Sequence, residues 1–310
     1  MRWSSPFWNS GEKRLRAGFR IVLLLVFTLA ASALAYSIVG PALRLESGTV
    51  RWIYLVLALL CLWLVSSVID RRQVSALGLR PERAWRDLLT GAAVSFGVIT
   101  SLVLAAFLAG KLGNDGPQGA PAAAAALGLG MAVSRFALSA LYEEMLCRGS
   151  LLKNLLEGFS WMGERASGAL AIVGSSALFA LMHVGNPGGQ LLGFINLFLL
   201  GCALAWITRR TGSLWPAVGA HLGWNVAMGP LYGFPVSGGR PDSALLELSV
   251  DAPSLWAGGS FGPEGGIAAT AAVILVAVAL GLMLGESRTA DTGRPRTSSP
   301  AAPAASLADR

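Results

Sequence analysis

The stretch IVLLLVFTLAASALAYSIVG, Ile21–Gly40, runs for twenty residues without a charge. About 20 apolar residues in a helix are what crosses the ~30 Å hydrocarbon core of a bilayer. Ala33–Ala35 resembles a signal-peptide cleavage site, but the basic leader (Lys13, Arg14, Arg16, Arg20) is long and many apolar runs follow. An uncleaved first span is therefore expected. Further runs are Trp52–Ile69, Leu88–Gly110, Gly168–His183, Leu191–Thr208, Ser213–Tyr232 and Gly266–Leu284. An eighth extends from Ala122 to about Leu155, interrupted by Arg135, Glu143, Glu144 and Arg148.

The rest of the chain agrees with lipid as its main solvent. Of its 310 residues 54% are hydrophobic and 13% charged, with a mean hydropathy of +0.60; a soluble domain carries about 25% charged residues. The net charge is +7, yet no basic patch with interleaved aromatics calls for nucleic acid. Most Arg and Lys flank apolar runs instead, where orientation signals sit. The expected fold is an all-α polytopic membrane helix bundle of about eight transmembrane helices, with both termini cytoplasmic, in the cell's inner (plasma) membrane. Residues 1–20 form a basic cytoplasmic segment, 21–120 the first helices and 121–233 the core that carries the chemistry. Residues 234–265 form an extracytoplasmic loop, 266–284 the last span and 285–310 a disordered cytoplasmic tail. No internal repeat supports an inverted-repeat transporter. Cys61, Cys147 and Cys202 match no metal or redox spacing and read as free thiols in apolar surroundings.

Ionisable side chains inside spans are costly and point to function. Three pairs share one spacing: Glu144 with Arg148, Phe179 with His183, and His221 with Asn225. On a helix, residues four apart lie on one face, so three helices can each turn a short polar stripe towards one core. Glu144 has Arg148 one turn away to keep it charged and still. Glu143 has no such partner in the sequence, which suits a general base that takes a proton from water. Glu143 with His183 can polarise that water, and His221 with Asn225 can donate to the oxyanion of a tetrahedral intermediate. Alternatively Glu143, His183 and His221 bind zinc, two His and one carboxylate leaving an open position for water; the residues permit both schemes. Gln190 and Asn196 read as interhelical or interfacial hydrogen-bonding residues. A transporter using the same residues, or a haem protein with His183 and His221 as axial ligands, are the rival chemistries.

At these residues the chain resembles the CPBP family of intramembrane proteases, which includes type II CAAX prenyl endopeptidases and bacteriocin-processing or immunity proteins. The family pattern EExxxR, FxxxH, HxxxN reads here as Glu143-Glu144-Met-Leu-Cys-Arg148, Phe179-Ala-Leu-Met-His183 and His221-Leu-Gly-Trp-Asn225. The resemblance spans roughly residues 130–230. It implies a helical bundle with its catalytic groups sunk in the membrane and open towards the cytoplasm. It also implies Glu143 and His183 as water activators, and His221 and Asn225 as oxyanion binders. The expected partners are the lipid bilayer and a membrane-anchored peptide or protein substrate, with a non-proteolytic immunity or scaffold protein as the alternative. Nothing in the chain encodes recognition of a prenyl group.

One depth constraint follows. A fourth span ending at Arg148 would leave Glu143 near the cytoplasmic surface and His183 near the far end of the fifth span. The groups meet only if the fourth helix runs past Arg148 to about Leu155, with Arg135 reaching outward and Lys153 inward, and if the fifth helix tilts or shifts. Separations above ~10 Å would rule out a single site.

Overall fold

A computed structural model of the chain describes residues 7–114 and 122–284. The disordered tail expected at 285–310, with Arg288, Arg294 and Arg296, lies outside the described residues, as do Arg2 and the boundary expected near residue 120. Eight apolar segments form helices: α1 (Ala17–Leu43), α2 (Ser47–Ile69), α3 (Ala84–Leu108), α4 (Ala124–Gly158) and α5 (Glu164–Leu181). They continue with α6 (Leu191–Thr211), α7 (Trp215–Val226) and α8 (Ile267–Met283). Among the described residues the only ladders are two short antiparallel pairs, Trp8–Asn9 (β1) with Arg14–Leu15 (β2) and Leu112–Asn114 (β3) with Leu248–Val250 (β4). The fold is an all-α membrane bundle.

Five of these helices, α1, α2, α3, α4 and α6, are long and apolar enough to cross a membrane unaided. The other three expected spans are helical but fall short for local reasons. Glu164 and Arg165 open α5, α8 has 17 residues, and Pro216 starts α7. Beyond α7 the backbone widens into a π-helical turn over Ala227–Leu231 that contains Pro230. Shortness is tolerable where a helix is sheathed by protein: most of α7 is buried, from Pro216 to Asn225, so lipid does not set its length. The outer helices instead bare Val22, Leu29, Val56, Leu60, Leu104 and Phe107, a surface suited to acyl chains.

Small residues bring α7 into the bundle. Lipid tails are as apolar as leucine, so helices associate through close packing rather than hydrophobic expulsion. Gly219 and Gly223 press onto α3: an added Cβ on Gly219 would lie 2.8 Å from the Leu88 carbonyl carbon, and one on Gly223 2.8 Å from Ala92 Cα. Reciprocally, a Cβ on Gly91 would lie 2.7 Å from Ala220 N. This backbone-to-backbone crossing points α7's other face, with His221, into the bundle. Gly223→Val should cost ~1–3 kcal/mol or more by overpacking, read as a lower unfolding midpoint in detergent; an unchanged midpoint would contradict the crossing.

Charges gather at one end of the bundle. Arg20 and Arg14 reach Glu157 at 2.5 and 3.1 Å, Arg72 pairs with the same carboxylate, and Asn154 donates to Asp70 at 2.9 Å. Lys153 reaches the Ala76 carbonyl. The start of α1, the end of α2 and the end of α4 are thereby tied together. At the opposite end, β3 pairs with β4, and the segment between α7 and α8 folds back over the helices.

Candidate active site

Helix α4 supplies both glutamates from its interior, because it continues through a π-helical stretch, Met145–Leu151, and on past Arg148. π-Turns inside α-helices are frequent at functional sites. Glu144 and Arg148 are both fully buried and paired at 2.7 Å. Arg148 is further held by the Gly201 carbonyl at 3.3 Å, and its guanidinium lies 4.5 Å from the Phe179 ring centroid. Glu144 also accepts a 2.9 Å hydrogen bond from His221 Nδ1.

Glu143, about 100° round the helix, has a different setting. Its side chain retains 14% exposure where that of Glu144 has none, so solvent reaches only the first. Ser139, one turn earlier, donates to Oε1 at 2.6 Å. Oε2 is buried without a hydrogen-bond partner. It lies 4.0 Å from His183 Nε2 and 3.8 Å from His221 Nε2, too far for hydrogen bonds and within reach of one intervening water.

The depth problem is solved at His183. The sequence places it within a span ending at that residue, whereas α5 stops at Leu181. His183 sits in the following turn, where Nδ1 donates to the Phe179 carbonyl at 2.8 Å. It thus caps one of the carbonyls that a helix end leaves without an intrahelical partner, and its ring turns back towards α4. Phe179 packs edge-on against both imidazoles, with centroids 5.1 Å from His183 and 5.7 Å from His221. Asn225, buried on α7 one turn after His221, lines the same cavity.

All six sequence-selected residues therefore gather, four of them around a cavity of about 400 Å³ and Glu144 with Arg148 behind its wall. Both histidines spend Nδ1–H on an acceptor, so in the neutral ring each offers an Nε2 lone pair to the space beside Glu143. Zinc would draw on Glu143, His183 and His221, but these donors do not fit it as arranged. Their separations from Glu143 exceed the ~3.4 Å edge of a tetrahedral site with ~2.0–2.1 Å bonds. Among the described residues no group of His, Cys, Asp or Glu is assembled to hold an ion.

Several contributors are not evident from sequence spacing. Tyr54 of α2 donates to Tyr142 of α4 at 3.0 Å and closes one wall. Glu264, from the segment before α8, accepts from Trp224 Nε1 at 3.0 Å and from Ser237 Oγ at 2.7 Å, fastening a loop that lines the cavity. Asn196 bridges helices as expected, accepting from Thr270 Oγ1 of α8 at 2.7 Å, and also donates to the Glu264 and Gly266 carbonyls, while Gln190 donates to those of Gly258 and Gly265. Arg135 pairs with Asp242 of the same loop. Cys147 is buried and Cys61 and Cys202 half-buried, all as free thiols.

Residues 125–227 match the family model described as type II CAAX prenyl endopeptidase Rce1-like. No curated protein and no solved structure matches the chain. The matched stretch begins at the start of α4 and ends one residue past α7, so it contains Glu143, Glu144, Arg148, His183, His221 and Asn225, while Tyr54, Ser237 and Glu264 lie outside it.

Proposed function

We propose that this multi-pass membrane protein, whose Rce1-like domain is that of a CPBP family protease, is an endopeptidase of the inner membrane. It hydrolyses a peptide bond in a membrane-associated peptide or protein. The observation that carries this reading is the unpartnered Oε2 of Glu143, facing two imidazole Nε2 atoms across a gap of one water. A water there donates one hydrogen to Glu143 and the other to His183 Nε2, leaving its oxygen lone pair free to attack. The new C–O bond forms as Glu143 takes the proton, and the carbonyl becomes an oxyanion. Asn225 donates to that oxyanion without changing charge, and His221 does so when Nε2 carries a proton. Glu143 then delivers its proton to the amide nitrogen as the C–N bond breaks.

Glu144 and Arg148 act through His221: the ion pair fixes the carboxylate that holds Nδ1. No step requires the metal, so chelation should leave the cleavage rate unchanged. Loss on chelation with recovery on zinc addition would replace this scheme with the metal-bound one. The function itself is tested by sequencing the termini of membrane proteins from cells carrying the native protein or Glu143→Ala. At least one new terminus should depend on the native protein; identical termini would leave a binding or scaffold role.

A further inference from the structure

The two ends of the bundle differ in charge and in access to the site. At the end where Arg14, Arg20 and Arg72 meet Glu157, the start of α7 also docks: Leu214 N donates to the Gly78 carbonyl at 2.9 Å and Trp215 Nε1 to the Arg80 carbonyl at 2.9 Å. Arg209 packs against Gly168 near the start of α5. Thirteen described Lys and Arg residues, from Lys13 to Arg210, fall in or beside the segments gathered there. The opposite end carries five among the described residues, Arg44, Arg51, Lys111, Arg240 and Arg135, the last paired with Asp242. Excess Lys and Arg in short loops mark the cytoplasmic side.

The cavity leads to the poorly charged end. Its lining runs from Glu143 and the histidines to Arg51 near the start of α2, to Asn186 and Pro187 between α5 and α6, and to Gly239 and Arg240 in the loop after α7. Arg135, eight residues before Glu143 on α4 and so ~12 Å nearer that end, also lines it. Towards the basic end the way is filled. Every residue of Met145–Leu152 is buried, and so are Leu77, Leu214 and Val218 packed beside that stretch. A cytoplasmic opening, as the family resemblance implies, requires the charge bias to be reversed.

We infer that the catalytic cavity is entered from the extracytoplasmic face. Given the protease reading above, on which the substrate depends, its substrate is then a peptide segment or end of a membrane-anchored protein already carried across the bilayer. The reaction class that supplies it is translocation, not a cytoplasmic modification of a soluble chain. An outward mouth also explains why the loop carrying Ser237 and Asp242 is tied down by Glu264 and Arg135: that loop forms the rim through which substrate enters.

Accessibility tests this without using activity. In a background with Cys61 and Cys202 replaced by Ser and only the fully buried Cys147 kept, one cysteine at a time is introduced, at Arg240→Cys on the rim, Met182→Cys in the cavity wall and Glu82→Cys at the basic end, with the background protein as the labelling control. Intact cells or spheroplasts are treated with a membrane-impermeant maleimide, and Met182→Cys with a small impermeant thiosulfonate. Arg240→Cys and Met182→Cys should react from outside, and Glu82→Cys only after lysis. The inference fails if the rim cysteine reacts only after lysis, or if the rim is outside but Met182→Cys does not react from outside. Outward labelling with no dependence of any terminus on Glu143 would retain the orientation and remove the protease reading.

Discussion

Glu143→Gln should abolish peptide hydrolysis by the reconstituted protein while leaving its unfolding midpoint close to native. General acid–base catalysis contributes ~10²–10⁴-fold, and here one carboxylate both accepts the water proton and returns it to the leaving nitrogen. Its loss should therefore fall near the top of that range. Stability should be spared because Oε2, the oxygen that performs the chemistry, has no hydrogen-bond partner to lose. The amide oxygen of glutamine can keep the bond from Ser139 Oγ. A variant that keeps most of its activity would remove Glu143 as the base. One that unfolds would show that the carboxylate is structural. Ser139→Ala should be much milder, since it deletes one hydrogen bond of ~1 kcal/mol, roughly fivefold in rate.

The second large effect is on stability. Arg148→Met leaves Glu144 charged and fully buried, with only His221 Nδ1 to meet it. Breaking a buried ion pair from one side costs ~3–5 kcal/mol, because the remaining charge is uncompensated. The expected result is a clear loss of folded protein in detergent or a sharply lowered midpoint. Removing the partner charge as well, in Glu144→Gln with Arg148→Met, should recover part of the loss. Arg148→Lys should rescue incompletely: a single ammonium can meet Glu144, but it cannot also present a planar face to Phe179 and a donor to the Gly201 carbonyl. A single Met variant as stable as the native protein would refute the pinning role.

Much of this was legible in the chain because bilayer solvation writes long, periodicity-free apolar runs, and all eight became helices. The spacing of four residues was equally readable: Glu144 with Arg148 needs only one helix and came out as an ion pair at 2.7 Å. Ser139 has that same spacing from Glu143 and could have been found by the same rule. What could not be read locally was how depths are matched. His183 reaches the glutamates because α5 ends two residues before it, and a helix end is decided by packing and capping as much as by composition. The shortness of α7 was hidden for a similar reason, since hydropathy does not distinguish a helix facing lipid from one buried among helices. Glu264 was out of reach altogether: its partners Ser237 and Trp224 lie 27 and 40 residues away, across a loop with no regular pattern.

The gathering of Glu143, His183, His221 and Asn225 around one cavity gives chemical content to a motif set that, residue by residue, is modest. Each member has a distinct electrostatic setting. One carboxylate is neutralised by an arginine and an imidazole, the other is left with a free oxygen. Two imidazoles are fixed in orientation by acceptors behind them. Such division of roles is what general base catalysis with oxyanion stabilisation needs.

The most direct test of the central claim is a single-turnover cleavage in heavy-oxygen water, with the native protein in excess over a substrate identified from its termini. Attack by a water that Glu143 activates puts one heavy oxygen into the new C-terminal carboxylate in that first turnover, and Glu143→Gln yields no product. A first-turnover product without label would show that an enzyme side chain attacks first, and equal cleavage by the Glu143→Gln protein would show that this carboxylate is not the base.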